Sequence, residues 1–529
     1  MSSTANNNRL YLFGLVAIVT LYLTSHLWNL LGLPVFADEA IYIRWSQLII
    51  DDWRRYLFFP LNDGKTPFFM WLLVPFQFVF SDQLYAARFV SVLIGLGQIG
   101  AIVWVVRLFG GSRTARILAA IFVAILPFWF FHHRMALIDA TLTLFLTVSL
   151  ASLLEVVTRS FTFNFSSTWQ LKKIIRTALY EPWLFVAGGF FGLALWTKVP
   201  AVLFAPTLLV FAFLPVRKTV LERSLLLAQA SMAVVIGVVL FLLLKSQPVF
   251  SQLFSRGNDF LFPWREVMLG GMWRQTMINI PTYTVYFLQY LTPAAIALIG
   301  VGLFFGKVKK KIFLLVLSAL AFILPIALFG KVVYPRYFVP AILPLTIAAS
   351  LALAELLQFS RNTQVLLQKR VFAAVASVLL LANTITSSLL FIFPVVLTPD
   401  TTPFVPADVT QYLTEWSSGH GLKETISLMR DKTKEGNTLA VATEGFFGTL
   451  PDGLLLYLHN RDVSQLMVQG IGQPVFGIPE EFITQAAQYD TTWLVVNSHR
   501  MKMETTNFKL VAEFCRPYNA PCLQVWELL

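Results

Sequence analysis

The sequence predicts an α-helical polytopic membrane protein with a small C-terminal α/β domain. Three observations carry this. Only 13% of the 529 residues are charged, about half the share of an average soluble chain. The mean hydropathy is +0.69. Apolar runs of bilayer-crossing length, about 20 residues each, recur from residue 10 to residue 395 and then stop.

The runs fall at 10–31, 85–107, 114–131, 137–155, 182–197, 200–215, 224–245, 283–305, 312–330, 337–358 and 371–394, eleven in all. The first is too long for the apolar core of a signal peptide, and no small-residue cleavage site closes it. It is read as the first span. The run 67–80 begins at Pro67 and contains Pro75. Its length suits an interfacial or re-entrant segment.

Charge fixes the expected orientation. With the N-terminus inside and 67–80 not crossing, the inner loops carry Arg107, Arg113 and Arg116; Arg159, Lys172, Lys173 and Arg176; Arg217, Lys218 and Arg223; Lys307 and Lys309 to Lys311; and Arg361, Lys369 and Arg370. Every inner loop is then basic, as the positive-inside rule requires. If 67–80 crossed, every later loop would flip. An odd number of spans places the C-terminal domain outside. The expected location is the plasma (inner) membrane, multi-pass, with a cytoplasmic N-terminus.

Composition divides the chain into a transmembrane domain, 1–395, and an extracytoplasmic α/β domain, 396–529. The first part has 31 Lys+Arg against 13 Asp+Glu, the second 9 against 15. The net charge of +12 thus belongs mostly to short membrane loops and does not argue for nucleic acid, which is not expected as a partner. The second part has β-like runs at Thr438–Ala442, Thr492–Val496 and Cys522–Trp526, with helical stretches at 407–416, 422–433 and 479–488. Such alternation points to an α/β domain. Pro394–Pro406 is the expected hinge. Cys515 and Cys522 are the only cysteines. Export would let them pair, and spacing alone leaves the pairing open.

The predicted outer face collects ionisable residues. Asp38 and Glu39 follow the first span. Asp63 and Lys65 precede the 67–80 segment, and Arg88 enters the second span. His132, His133, Arg134 and Asp139 form the turn between spans three and four. Lys198 separates two short apolar runs. Tyr334, Arg336 and Tyr337 occupy a later loop. Singly, each cation reads as a snorkelling side chain and each acid as a solvated one. Adjacent histidines rarely share one metal, so no metal site is assigned. Asp139 opens an apolar helix, which suits a dipole-favoured first-turn acid and a buried functional acid equally. Together the acids and cations suit transfer from a phosphate-linked donor. A carboxylate takes a proton from an attacking hydroxyl, and cations neutralise the departing phosphate.

These motifs resemble the GT-C superfamily of polyprenyl-phosphate-sugar-dependent glycosyltransferases. The likeness is greatest to bacterial relatives of protein O-mannosyltransferases and of the aminoarabinose transferase of lipid A. It rests on Asp38-Glu39-Ala40-Ile41-Tyr42, Gly64-Lys65-Thr66-Pro67 leading to Trp71, and Ala87-Arg88-Phe89. It rests also on Arg134 with Asp139, and on Tyr334-Pro335-Arg336-Tyr337-Phe338-Val339-Pro340. Relatives commonly have two prolines after the lysine, where this chain has Thr66 first. The resemblance implies a GT-C fold and inverting transfer to an acceptor hydroxyl at the outer face. Asp38 would be the base, Glu39 its partner and Asp139 the second acid. Lys65, Arg134 and Arg336 would bind donor phosphate. Tyr42, Arg88, His133, Tyr334 and Tyr337 are further candidate substrate contacts. The implied partners are a polyprenyl-phosphate sugar, a lipid, glycan or protein acceptor, and the bilayer. No cofactor is required, and a divalent metal is left open. A transporter or flippase for lipid-linked sugars is the alternative. Transporters commonly carry sequence repeats and midplane charges, and here no repeat is evident and the charges cluster on one face.

Overall fold

The structure is a computed structural model and describes residues 2–160, 181–211, 220–304, 306–434, 436–459 and 465–529. The expected inner-loop residues Lys172, Lys173, Arg176, Arg217 and Lys218 lie outside the described residues.

The chain is a multi-pass membrane protein. Among the described residues, seven helices are each long and apolar enough to cross a membrane: Asn8–Leu27, Gln83–Leu108, Ile138–Arg159, Arg223–Ser246, Gly306–Phe329, Pro335–Ser360 and Leu367–Leu397. An eighth span results if Trp273–Tyr290 and Pro293–Phe304, bent by 98° at their junction, are taken together. Thr292 at the bend has φ +72°, and Pro293 follows it, so the first helix cannot continue.

The other expected spans are shorter helices. The run 114–131 is broken into Arg113–Ile125 and Pro127–His132, because Leu126 is extended before Pro127. The runs from 182 and 200 form Pro182–Thr197 and Val199–Val210, separated by extended Lys198. The proline-bearing run from 67 forms the short helix Phe68–Gln77.

Two compact units make up the fold. One comprises Met1–Trp28, Phe58–Phe69 and Ser91–Phe393. Its centre is the helix Pro335–Ser360, which is 94% buried over its most apolar stretch. Asn8–Leu27 and Leu367–Leu397, at 17% and 28%, instead turn apolar side chains outward, as lipid-facing helices do. The helices Pro182–Thr197 and Val220–Leu242 touch through glycines. A Cβ on Gly188 would lie 2.6 Å from Ile236, and one on Gly237 2.5 Å from Phe191. Small residues permit this close approach in membranes.

The other unit comprises Asn29–Leu57, Met70–Val90 and Pro394–Leu529. It thus combines the expected C-terminal domain with the segment that carries Asp38. Its sheet has the order β2-β1-β3-β5-β4. Strands β1 (Leu439–Thr443), β2 (Leu466–Gly470) and β3 (Thr491–Asn497) run parallel. Strands β4 (Phe508–Arg516) and β5 (Ala520–Leu528) add antiparallel pairings. The expected strands are β1, β3 and β5. Ala440, Ala442, Phe482, Leu494 and Val496 form the core on one face. Cys515 and Cys522 are joined by a disulfide that closes the β4–β5 hairpin.

Candidate active site

Asp38 and Glu39 stand in the first turn of the helix Ala37–Asp51, where the dipole favours acids. Their environments differ. Asp38 is half-buried and Glu39 fully buried. Glu39 Oε2 accepts from the Phe36 backbone N–H at 3.0 Å, which caps the helix. Arg88 Nε donates to Glu39 Oε1 at 2.8 Å, and Arg88 Nη2 donates to Oε2 at 2.7 Å. Arg88 also donates to the carbonyls of Leu30, Leu33 and Pro34 at 2.8–2.9 Å. These five bonds match the five N–H groups of a guanidinium. Arg88 therefore has no donor left for a substrate, and the expected contact is replaced by a clamp. Both Glu39 oxygens are engaged in turn, Oε1 by Arg88 and Oε2 by Arg88 and the helix cap.

The same helix turn is built onto the C-terminal part of its unit. Ala37 N–H donates to Ser417 O at 2.9 Å, and Gly419 N–H donates to Val35 O at 2.9 Å. Farther along the helix, Gln47 Nε2 donates to Leu456 O at 2.9 Å. Tyr42 is 2% exposed and serves as core rather than as an open contact.

The membrane unit holds a second cluster. Asp139, 2% exposed, accepts from Lys198 Nζ at 2.7 Å. Lys198 Nζ lies 4.6 Å from the Tyr337 ring centroid. The Arg336 guanidinium lies 5.3 Å from the Tyr334 ring and 5.6 Å from the Tyr337 ring. His132 is within electrostatic reach of Asp139, Arg336 and Lys198. The fold thus brings together Asp139, Arg336, Tyr334 and Tyr337, and adds Lys198 as the acid's partner. Two basic side chains and one acid make up the cluster, a composition suited to an anion.

A third group surrounds Lys65. Gly64 takes φ +70°, which turns the chain so that Lys65 Nζ meets Asp63. Arg256 Nη1 donates to the other Asp63 oxygen at 2.8 Å. Nothing in the sequence singles out Arg256, because its partner lies 193 positions away.

Two expected contacts have other surroundings. Arg134 Nη1 donates to the carbonyls of Ser25, His26 and Trp28 at 3.0, 2.7 and 3.0 Å. Through Nη1 it closes the end of the first span, where unpaired carbonyls collect. His133 is fully buried beside Trp129, Tyr22 and His26. A Cβ on Gly95 would lie 2.4 Å from its ring, so His133 is a packing residue here. Among the described residues, the one grouping of three candidate metal ligands is Glu513, Cys515 and Cys522, and its two sulfurs are bonded to each other.

Residues 57–253 match the family "Dolichyl-phosphate-mannose-protein mannosyltransferase". A search of curated protein sequences finds no match. Among solved structures, the chain is similar to ArnT from Cupriavidus metallidurans bound to undecaprenyl phosphate. The identity is 18%, with 97% of each chain covered and a TM-score of 0.53. It is also similar to the oligosaccharyltransferase AglB from Archaeoglobus fulgidus, in complex with an inhibitory peptide and a dolichol-phosphate. There the identity is 13%, covering 93% of this chain and 70% of the other, with a TM-score of 0.54. Seven or more apolar spans, a small C-terminal sheet and a likeness to ArnT over 97% of both chains agree: the chain has the GT-C fold, resembling ArnT and, over residues 57–253, the protein-mannosyltransferase family.

Proposed function

We propose that this protein is a glycosyltransferase that moves a sugar from a polyprenyl-phosphate donor to an acceptor hydroxyl at the outer face of the membrane, with inversion. The observation that carries the reading is Asp38, held on a helix turn that Arg88 and Glu39 lock in place, within a fold whose ArnT example binds undecaprenyl phosphate. The acceptor oxygen attacks the anomeric carbon, and its proton passes to the Asp38 carboxylate. The bond from that carbon to the phosphate oxygen breaks, and polyprenyl phosphate leaves with the electron pair.

Lys65 and Arg336 are the proposed phosphate ligands. Arg256 supports Lys65 through the shared Asp63. Asp139 holds Lys198 beside Tyr337 and Arg336, so its role is to set the local field. The Cys515–Cys522 bond favours an oxidising compartment, which supports an extracytoplasmic C-terminal domain and a cytoplasmic N-terminus.

The test is a screen of polyprenyl-phosphate sugars against the purified protein. Asp38→Asn is expected to abolish transfer while the protein stays folded and binds donor. Lys65→Ala and Arg336→Ala are expected to raise the donor KM at least tenfold. Full activity in Asp38→Asn would refute the reading.

A further inference from the structure

The second unit carries exposed aromatic rings where its parallel strands release their loops. β1 leads to β2 on one side, and β2 leads to β3 on the other side of β1. Ligand crevices in open α/β sheets form at such reversals, outside the carboxyl ends of the strands. The loops 444–449, 471–478 and 498–503 leave those ends. Backbone bonds tie all three together. Gly445 N–H donates to Gly472 O at 2.9 Å, Val475 N–H to Arg500 O at 2.9 Å, and Lys502 N–H to Val475 O at 2.8 Å. A Cβ on Gly470 would lie 2.2 Å from Gly445 O, so the close approach requires glycine there.

On this frame Phe446 and Phe476 are 69% and 74% exposed. Gln473 lies in the loop with Phe476 and accepts from Arg500. Arg500 stacks 4.4 Å over Trp416 and pairs with buried Glu444 at 3.5 Å. Exposed phenyl rings, a planar amide and a planar guanidinium, all carried on these cross-tied loops, match the two sides of a sugar ring. The apolar C–H face lies on an aromatic ring, and the hydroxyl rim meets planar hydrogen-bonding groups. The 396–529 segment has 15 acidic against 9 basic residues, which disfavours an anionic ligand or leaflet.

We propose that this surface binds neutral sugar residues of a glycan-bearing acceptor. The loop that carries Phe446 continues to Gly448, where a Cβ would lie 4.0 Å from the Ala37 Cβ, one residue before Asp38. A glycan held at Phe446 is therefore held by the loop that abuts the Asp38 helix turn. That the bound glycan is an acceptor rests on the transfer reading; the binding itself does not.

The experiment places the full-length protein in nanodiscs over an array of neutral oligosaccharides containing glucose, galactose, mannose or N-acetylglucosamine. The unsubstituted protein is expected to retain at least one of them. Phe446→Ala with Phe476→Ala should weaken that binding tenfold or more, and Phe446→Tyr with Phe476→Tyr should keep it. Asp38→Asn should bind as the unsubstituted protein does. The proposal is overturned if no oligosaccharide is retained, or if the double alanine variant binds unchanged. It is also overturned if Phe446→Trp fluorescence is quenched by nitroxide-labelled lipid, which would place the patch in the bilayer. An active Asp38→Asn enzyme would remove the transfer reading and leave the binding result standing.

Discussion

Arg88 and Glu39 form a two-bond ion pair, 2.7 and 2.8 Å, in which both side chains are buried. The pair joins the chain leaving the first span to the helix that presents Asp38. Removing one partner of a buried pair leaves an uncompensated charge and costs about 3–5 kcal/mol. Arg88→Ala should lower stability by that order, and Arg88→Lys should also fall short, because an ammonium cannot supply the five-donor fork. Thermal denaturation in detergent measures both. An Arg88→Lys protein as stable and as active as the unsubstituted one would remove the clamp from the account.

Asp139 and Lys198 should behave as one unit in the same measurement. Each single change, Asp139→Asn or Lys198→Met, leaves a buried or half-buried charge without its 2.7 Å partner. The double variant should recover part of the loss, with a coupling of about 1–3 kcal/mol. Strict additivity of the two losses would show that the pair is not coupled.

Stability should fall in mild acid, in part through His420. Burial pulls its pKa below the ordinary 6.5, against Asp400 and Glu424, which raise it; Arg516 also lowers it. The unfolded chain then binds the proton more readily. The stability this residue contributes is full above about pH 6.5 and is lost as pH falls through the depressed value. His420→Gln should flatten the dependence of the melting temperature between pH 5 and pH 7. An unchanged slope would assign it to other groups.

The disulfide joins cysteines seven positions apart. Closing so short a loop removes about 2–3 kcal/mol of unfolded-chain entropy. Cys515→Ser should destabilise the second unit by that order. In intact cells, maleimide labelling of the native protein should require prior reduction. Ready labelling without reductant would argue against the bond and weaken the outer placement of the domain.

The spans were legible because long apolar runs have few other uses, and the run at 67–80 declared its short helix through its prolines. The acid pair was legible only as two acids following the first span; that they open the helix Ala37–Asp51 came from the structure. The partners were not legible. An arginine at a span entrance reads the same whether it snorkels or clamps, and Arg88 is decided by the carbonyls of Leu30, Leu33 and Pro34, which only the folded exit loop turns toward it. Lys198 was visible as an interruption between apolar runs, while its acid stands 59 positions earlier. Strand β2 is short and only partly buried, and β4 is an edge strand carrying Lys509 and Glu513. Neither presents the continuous apolar run that marks β1 and β3.

The backbone bonds from Ala37 to Ser417 and from Gly419 to Val35 also set a timetable for synthesis. The residue proposed to take the proton leaves the ribosome well before its support does. The carbonyl that anchors its helix turn is made some 380 residues later. A nascent or truncated chain ending before Ser417 would hold Asp38 on an unfinished turn, so competence waits on the synthesis and folding of the segment that carries Ser417 and Gly419.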